Sequence, residues 1–270
     1  MESRLSFDGT RLSSIWQING LPEDAKHALY CSLIPPTVLQ DACTAIATDR
    51  QEGDPISVSI RCPTETGFVE IDVRHAHDPR DPLLYVQIAD TPSGQIQVLL
   101  MCVNDPSGER FDIDRDWEGE TKLGTMRRNV DAEIEAFRAG LAPGQVRRGL
   151  GLSRSLIGVM ETFAAGLAKD RFFIEPLAYH NAITFERYGF AYMTGKAGMV
   201  EIHQGFQPGG ALWQQLDGST PFRERGAEKT VRGRSWAIHD GILGQPWTGV
   251  RMYKRIGHDA GMCTFPDAVY

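Results

Sequence analysis

Between Ile56 and Val103 apolar residues recur at every second position. Ile56/Val58/Ile60, Val69/Ile71/Val73, Leu84/Val86/Ile88 and Ile96/Val98/Leu100 each predict one face of a strand. Pro92-Ser93-Gly94 predicts a turn between the last two, and therefore an antiparallel hairpin. Upstream the pattern changes twice. Alternating apolar positions from Arg11 to Ile18 predict a first strand, and Pro22 opens a helix that runs to about Leu33 and is stopped by Pro35-Pro36. Thr37 and Gln40 have capping-box spacing for a second helix through Ile46.

After Asn129 the period becomes helical. Val130, Ile134, Phe137 and Leu141 form one stripe, ended by Pro143-Gly144, and Leu152, Leu156, Val159, Phe163 and Leu167 form a second on a longer helix. Phe172–Glu175 reads as a short strand, Asn181–Tyr188 as a helix terminated by Gly189, and Phe190–Met193 as a further strand. Residues 197–235 read as irregular, and Val250–Ile256 reads as a closing strand. This order predicts an α/β class chain (α+β, with a mixed sheet). It forms one large domain over 1–270, with N-terminal strand and helices in 1–50, a strand-rich half in 56–128, a third segment in 129–196, and an insertion, closing strand and tail in 197–270.

Composition narrows the partners. Lys and Arg number 28 against 35 Asp and Glu, a net charge of −7, which disfavours nucleic acid or an anionic membrane as a general partner. The longest apolar run, Val98–Val103, is far too short to span a bilayer, and the first residues lack the apolar core of a signal peptide. Five scattered cysteines without a Cys-x-x-Cys pair speak against a disulfide framework or a thiolate zinc site. The expectation is a reduced, cytoplasmic, soluble protein acting on a small-molecule substrate. Nothing in the sequence specifies its oligomeric state.

The chemistry concentrates near the long helix. Val146-Arg147-Arg148-Gly149-Leu150-Gly151 precedes its start, and backbone amides at a glycine-containing helix N-terminus make a phosphate-binding site to which Arg147 and Arg148 would add charge. About thirty residues later comes Asn181-Ala182-Ile183-Thr184-Phe185-Glu186-Arg187-Tyr188-Gly189-Phe190. The succession of Arg-Arg-Gly-Leu-Gly loop, helix, strand, Asn-Ala helix and Gly-Phe strand resembles the cofactor half of the GNAT superfamily of acyltransferases. The closing strand Val250–Ile256 is similar to that superfamily's last strand. The clear resemblance covers residues 145–195 and implies a GNAT-like fold with an insertion before the last strand. It also implies acetyl-CoA or another acyl-CoA as cofactor, with the pyrophosphate on Arg147, Arg148, Gly149, Leu150 and Gly151 and with Asn181 near the pantetheine arm. An amine would then attack the thioester directly, with Glu175 or His180 as base and Tyr188 as acid.

Other constellations stay open. Glu175, His180, His203 and His239 are a His/carboxylate set suited to a divalent transition metal, which would make the chain a metal-dependent enzyme on the same scaffold. His75-Ala76-His77 reads as an exposed loop, and Asp112–Glu120, with Trp117 and Leu123 where a calcium loop needs Gly and Glu, as a solvated face. Between Pro221 and His258 basic residues outnumber acidic ones, so Lys229-Thr230-Val231-Arg232-Gly233-Arg234 could meet a ligand phosphate. A non-catalytic ligand-binding protein is the third reading.

Overall fold

A computed structural model describes residues 4–38, 56–75, 79–116 and 128–269. Among these, β1 (Ser6–Phe7) and β2 (Thr10–Arg11) form a small hairpin, and seven strands form a mixed sheet in the order β3-β4-β5-β6-β7-β9-β8. The strands are β3 (Ile56–Arg61), β4 (Phe68–His75), β5 (Leu84–Asp90), β6 (Ile96–Val103), β7 (Arg171–Ile174), β8 (Ala191–Thr194) and β9 (Arg251–Arg255). Chain contacts group into two compact units. Unit 1 is residues 1–107, 149–174 and 253–259; unit 2 is 108–148, 175–252 and 260–270.

In unit 1, β3 to β6 pair antiparallel in chain order, and β6 pairs parallel with β7. Alternation decides their faces. Val69, Ile71, Val73, Leu84, Val86, Ile88, Ile96 and Val98 are buried, while the intervening residues are partly exposed. The parallel step requires a crossover, supplied by α4 (Ser153–Gly166), which packs Leu156, Ile157, Met160, Phe163 and Ala164 inward. Ile157, Met160 and Ala164 thus line the buried face where the predicted stripe had Val159.

The second half of the predicted first strand from Arg11 to Ile18 is instead the start of α1 (Ile15–Asn19). Its exposed amides find acceptors. Ser14 Oγ accepts from Gln17 N at 3.1 Å, and the Asp90 carboxylate accepts from Ile15 N and Trp16 N at 3.1 and 2.8 Å. Helix α2 follows at Glu23–Cys31, led by Pro22 as expected. The helix expected from Thr37 to Ile46 falls mostly outside the described residues.

Unit 2 has its own core. Phe222 stacks on Trp236 (centroids 4.8 Å apart, planes 11° apart), Phe137 meets both edge-on, and Trp236 Nε1 donates to the Leu141 carbonyl at 2.8 Å. Phe111, Ala136 and Leu141 complete the cluster. These residues come from α3 (Val130–Arg138), α8 (Val231–His239) and their neighbouring segments. The stretch expected to be irregular holds α6 (Lys196–Gly205), α7 (Ala211–Gln214) and the start of α8. Helix α5 (Tyr179–Arg187) ends as its sequence predicts. Gly189, at φ +78°, lets its own amide reach the Glu186 carbonyl and that of Phe190 reach Phe185.

Candidate functional site

Two places have the geometry of a ligand site, one in each unit. In unit 1 the parallel pairing of β6 with β7 covers only Ile96–Val98 against Phe172–Ile174, although β6 continues to Val103. At the next residue β6 carries a bulge: Ile88 faces Val98, but Gln87 faces Leu100, so Leu99 is the extra residue and is 43 % exposed. From Leu99 onward β5 is the only strand paired with β6 among the described residues, and one margin of its backbone lacks a strand partner. Leu100 therefore lies opposite Gln87 on the polar face rather than beside Ile96 and Val98, as its spacing predicted.

The chain re-enters unit 1 at the same end of β6. A Cβ on Gly149 would lie 3.3 Å from the Val103 carbonyl oxygen, so the backbone of this loop passes close to the strand's end. Gly151 follows at φ +72°, and α4 begins at Ser153 with no side chain capping its amides. Gly149, Leu150 and Gly151 thus lie where they were predicted, ahead of a helix N-terminus, with Leu150 and Gly151 exposed. The open strand margin and the open helix start thus both lie toward the carboxyl end of β6, the end of a parallel pair at which ligands of α/β sheets commonly bind.

Arg147 is a different matter. It is only 4 % exposed, and its Nη1 donates to the Gly108 carbonyl at 2.8 Å within unit 2. Its charge secures a backbone turn, and only Arg148 of the pair is exposed.

Unit 2 contains a pocket of about 550 Å³ lined by Leu177, Tyr179, Ser235, His239 and Trp247 among others. Helix α8 supplies Ser235 and His239 from one face, since they are four residues apart. Its start is fixed by Thr230 Oγ1, which accepts from Gly233 N at 2.9 Å, and by Gly233 itself, whose missing Cβ would fall 2.5 Å from the Ala227 carbonyl. Ser235 Oγ lies 2.9 Å from His180 Nδ1, and burial pushes the His180 pKa down to about 4, so this imidazole is neutral at pH 7. His239 Nε2 lies 3.1 Å from Glu133 Oε1, while Arg128 Nε and Nη2 donate to Oε2 at 2.9 and 2.5 Å. Burial alone would raise the Glu133 carboxyl; hydrogen bonds from His239 and Arg128 outweigh it and hold the pKa below the ordinary value. The ionised carboxylate only accepts, so it is His239 Nε2–H that donates to Glu133 Oε1.

The other predicted residues disperse. Glu175 is exposed and pairs with Arg251 at 2.8 Å, so the burial expected of a general base is not there. Tyr188 is the C-cap of α5, partly buried, and Asn181 lies in that helix's first turn. His203 Nδ1 faces Arg234 at 3.1 Å, and burial, with the Arg234 charge, lowers its pKa. The four residues of the predicted metal set thus have four separate partners. Arg234 is buried against the Phe265 ring at 3.4 Å, and Arg232 donates to the Gly140 carbonyl, so both arginines of the basic run serve the fold. In the Asp112–Glu120 stretch, Arg110 holds Asp112 and Asp114; residues 117–127, like His77, lie outside the described residues.

Sequence reasoning missed Glu133, Ser235 and Tyr179, whose roles depend on contacts between distant segments. It also missed the role of Glu186 inside the recognised motif. That buried carboxylate accepts from Tyr192 Oη at 2.6 Å and from Thr264 N and Oγ1 at 2.9 and 2.7 Å, which makes it an anchor of unit 2. Comparison with protein-family models, with curated proteins and with solved structures finds no match. No described helix is long and apolar enough to cross a membrane.

Proposed function

We propose that the chain is an acyl-CoA-dependent N-acyltransferase of GNAT type, acting on a small amine. The observation that carries this reading is the parting of β6 from β7 at Leu99, next to the uncapped start of α4. The pantetheine arm of CoA is an extended chain with two amides, and it can pair with the vacant margin of β6 as an added strand would. Its pyrophosphate would meet the amides from Gly149 to the first turn of α4, where the helix dipole favours an anion. The strand order, with the last strand inserted between β7 and β8, supports the same reading.

In the transfer, the amine nitrogen forms a bond to the thioester carbon, the C–S bond then breaks, and the thiolate takes up a proton.

Isothermal titration with CoA and acetyl-CoA tests the reading. The native chain should bind both, and Gly149→Val, which drives a branched side chain toward the Val103 carbonyl, should bind about tenfold more weakly or worse. Failure of the native chain to bind CoA overturns it. Binding without amine-dependent release of free thiol would leave a ligand-binding protein rather than an enzyme.

A further inference from the structure

Glu23 and His27 stand one turn apart on the same face of α2, and Cys62 is the first residue after β3. A carboxylate oxygen, an imidazole nitrogen and the thiol sulfur of these three all lie within 4.8 Å of one another, the only such group of three among the described residues. His27 Nε2 is 3.0 Å from Glu23 Oε1. Cys62 is buried, while the Glu23 side chain is 66 % exposed, so the group has a sulfur floor and an open side.

The same place already draws in a cation. Lys26 is only 6 % exposed, yet its Nζ is 2.8 Å from Glu23 Oε2 and 3.5 Å from the Cys62 carbonyl oxygen. Burying an ammonium is costly unless its surroundings are negative. The ammonium therefore marks a position where positive charge is stabilised.

We propose that Glu23, His27 and Cys62 form a binding site for a zinc-class divalent ion. One nitrogen, one sulfur and one oxygen suit borderline-soft Zn²⁺ and not Mg²⁺ or Ca²⁺, which take oxygen ligands. Bonds of about 2.0–2.3 Å place tetrahedral ligands roughly 3–4 Å apart, within reach of small side-chain rotations here. On binding, the Cys62 thiol gives its proton to solvent and Lys26 turns away from the Glu23 oxygen. Three protein ligands leave the fourth position to water or an incoming ligand, and the ion ties α2 to the end of β3.

Titration of the metal-free full chain with Co²⁺ tests the proposal. One equivalent should bind, with intense visible bands of tetrahedral Co²⁺ and a thiolate-to-cobalt charge-transfer band, all displaced by Zn²⁺. Cys62→Ser should lose the charge-transfer band, and His27→Gln should weaken binding by about tenfold or more. Lys26→Met, which removes the competing ammonium, should bind at least as tightly as the native chain. Circular dichroism shows whether each variant is folded; if Cys62→Ser does not fold, His27→Gln decides. No stoichiometric binding by the native chain overturns the proposal. So does a charge-transfer band that survives in folded Cys62→Ser, or unchanged affinity in folded His27→Gln.

Discussion

His239 Nε2 lies 3.1 Å from Glu133 Oε1, and the carboxylate's other oxygen is held by Arg128. This buried anion, placed between two donors, has a folded pKa below its unfolded one. Its contribution is therefore present above the unfolded carboxylate pKa and is lost as pH falls through the folded value. Glu133→Gln should cost about 1–3 kcal/mol at pH 7 and flatten the acid limb of stability against pH. Urea unfolding at a series of pH values between neutral and acid checks this; parallel curves for native and variant chains would contradict it.

His180 works in the same direction for a different reason. With a folded pKa of about 4 and an unfolded value near 6.5, the unfolded chain takes up the proton first. Stability should fall as pH drops from about 6.5 toward 4, and His180→Gln should remove roughly 1–3 kcal/mol of that loss. The imidazole ¹³C shifts of His180 would give the pKa directly, and titration near 6.5 would refute the burial argument.

Gly189 occupies a left-handed position that closes α5. Replacing it with alanine should destabilise the chain by about 1 kcal/mol while leaving its fold unchanged. Chemical denaturation monitored by tryptophan fluorescence would measure the shift.

Trp236 is fully buried between Phe222, Phe137 and the Leu141 carbonyl. Trp236→Ala should cost about 3–5 kcal/mol, because it opens a cavity and strands an acceptor. Trp236→Phe keeps much of the stacking and should cost less, so the order of their unfolding midpoints is itself the test.

The strand-rich region was legible because a two-residue period needs only one buried face, and all four strands from Ile56 to Val103 stand where that period predicts. Helix α1 was not legible: its apolar residues alternate, and the acceptor for its first amides is Asp90, more than seventy positions away. The register shift at Leu99 is equally invisible, since Ile96, Val98 and Leu100 keep an unbroken alternation through it. The glycines before α4 were readable from their spacing. Arg147 was not, because nothing local distinguishes a solvent-facing guanidinium from one bonded to Gly108. His239, which lines the pocket in unit 2, and His180, which contacts its Ser235, were legible as histidines. The partners that define their protonation, Ser235 and Glu133, are ordinary residues brought close only by folding.

The extra residue at Leu99 also makes chain length, rather than side-chain identity, the variable that governs this part of β6. Loss of a single codon there would leave Leu100, Met101, Cys102 and Val103 opposite the β5 residues they already face, because Val98 and Leu100 would then be consecutive, as Ile88 and Gln87 are. An in-frame deletion would thus keep the pairing of β6 with β5 while removing the kink. Homologous chains that differ by one residue at this point would share an architecture and part company in what they bind.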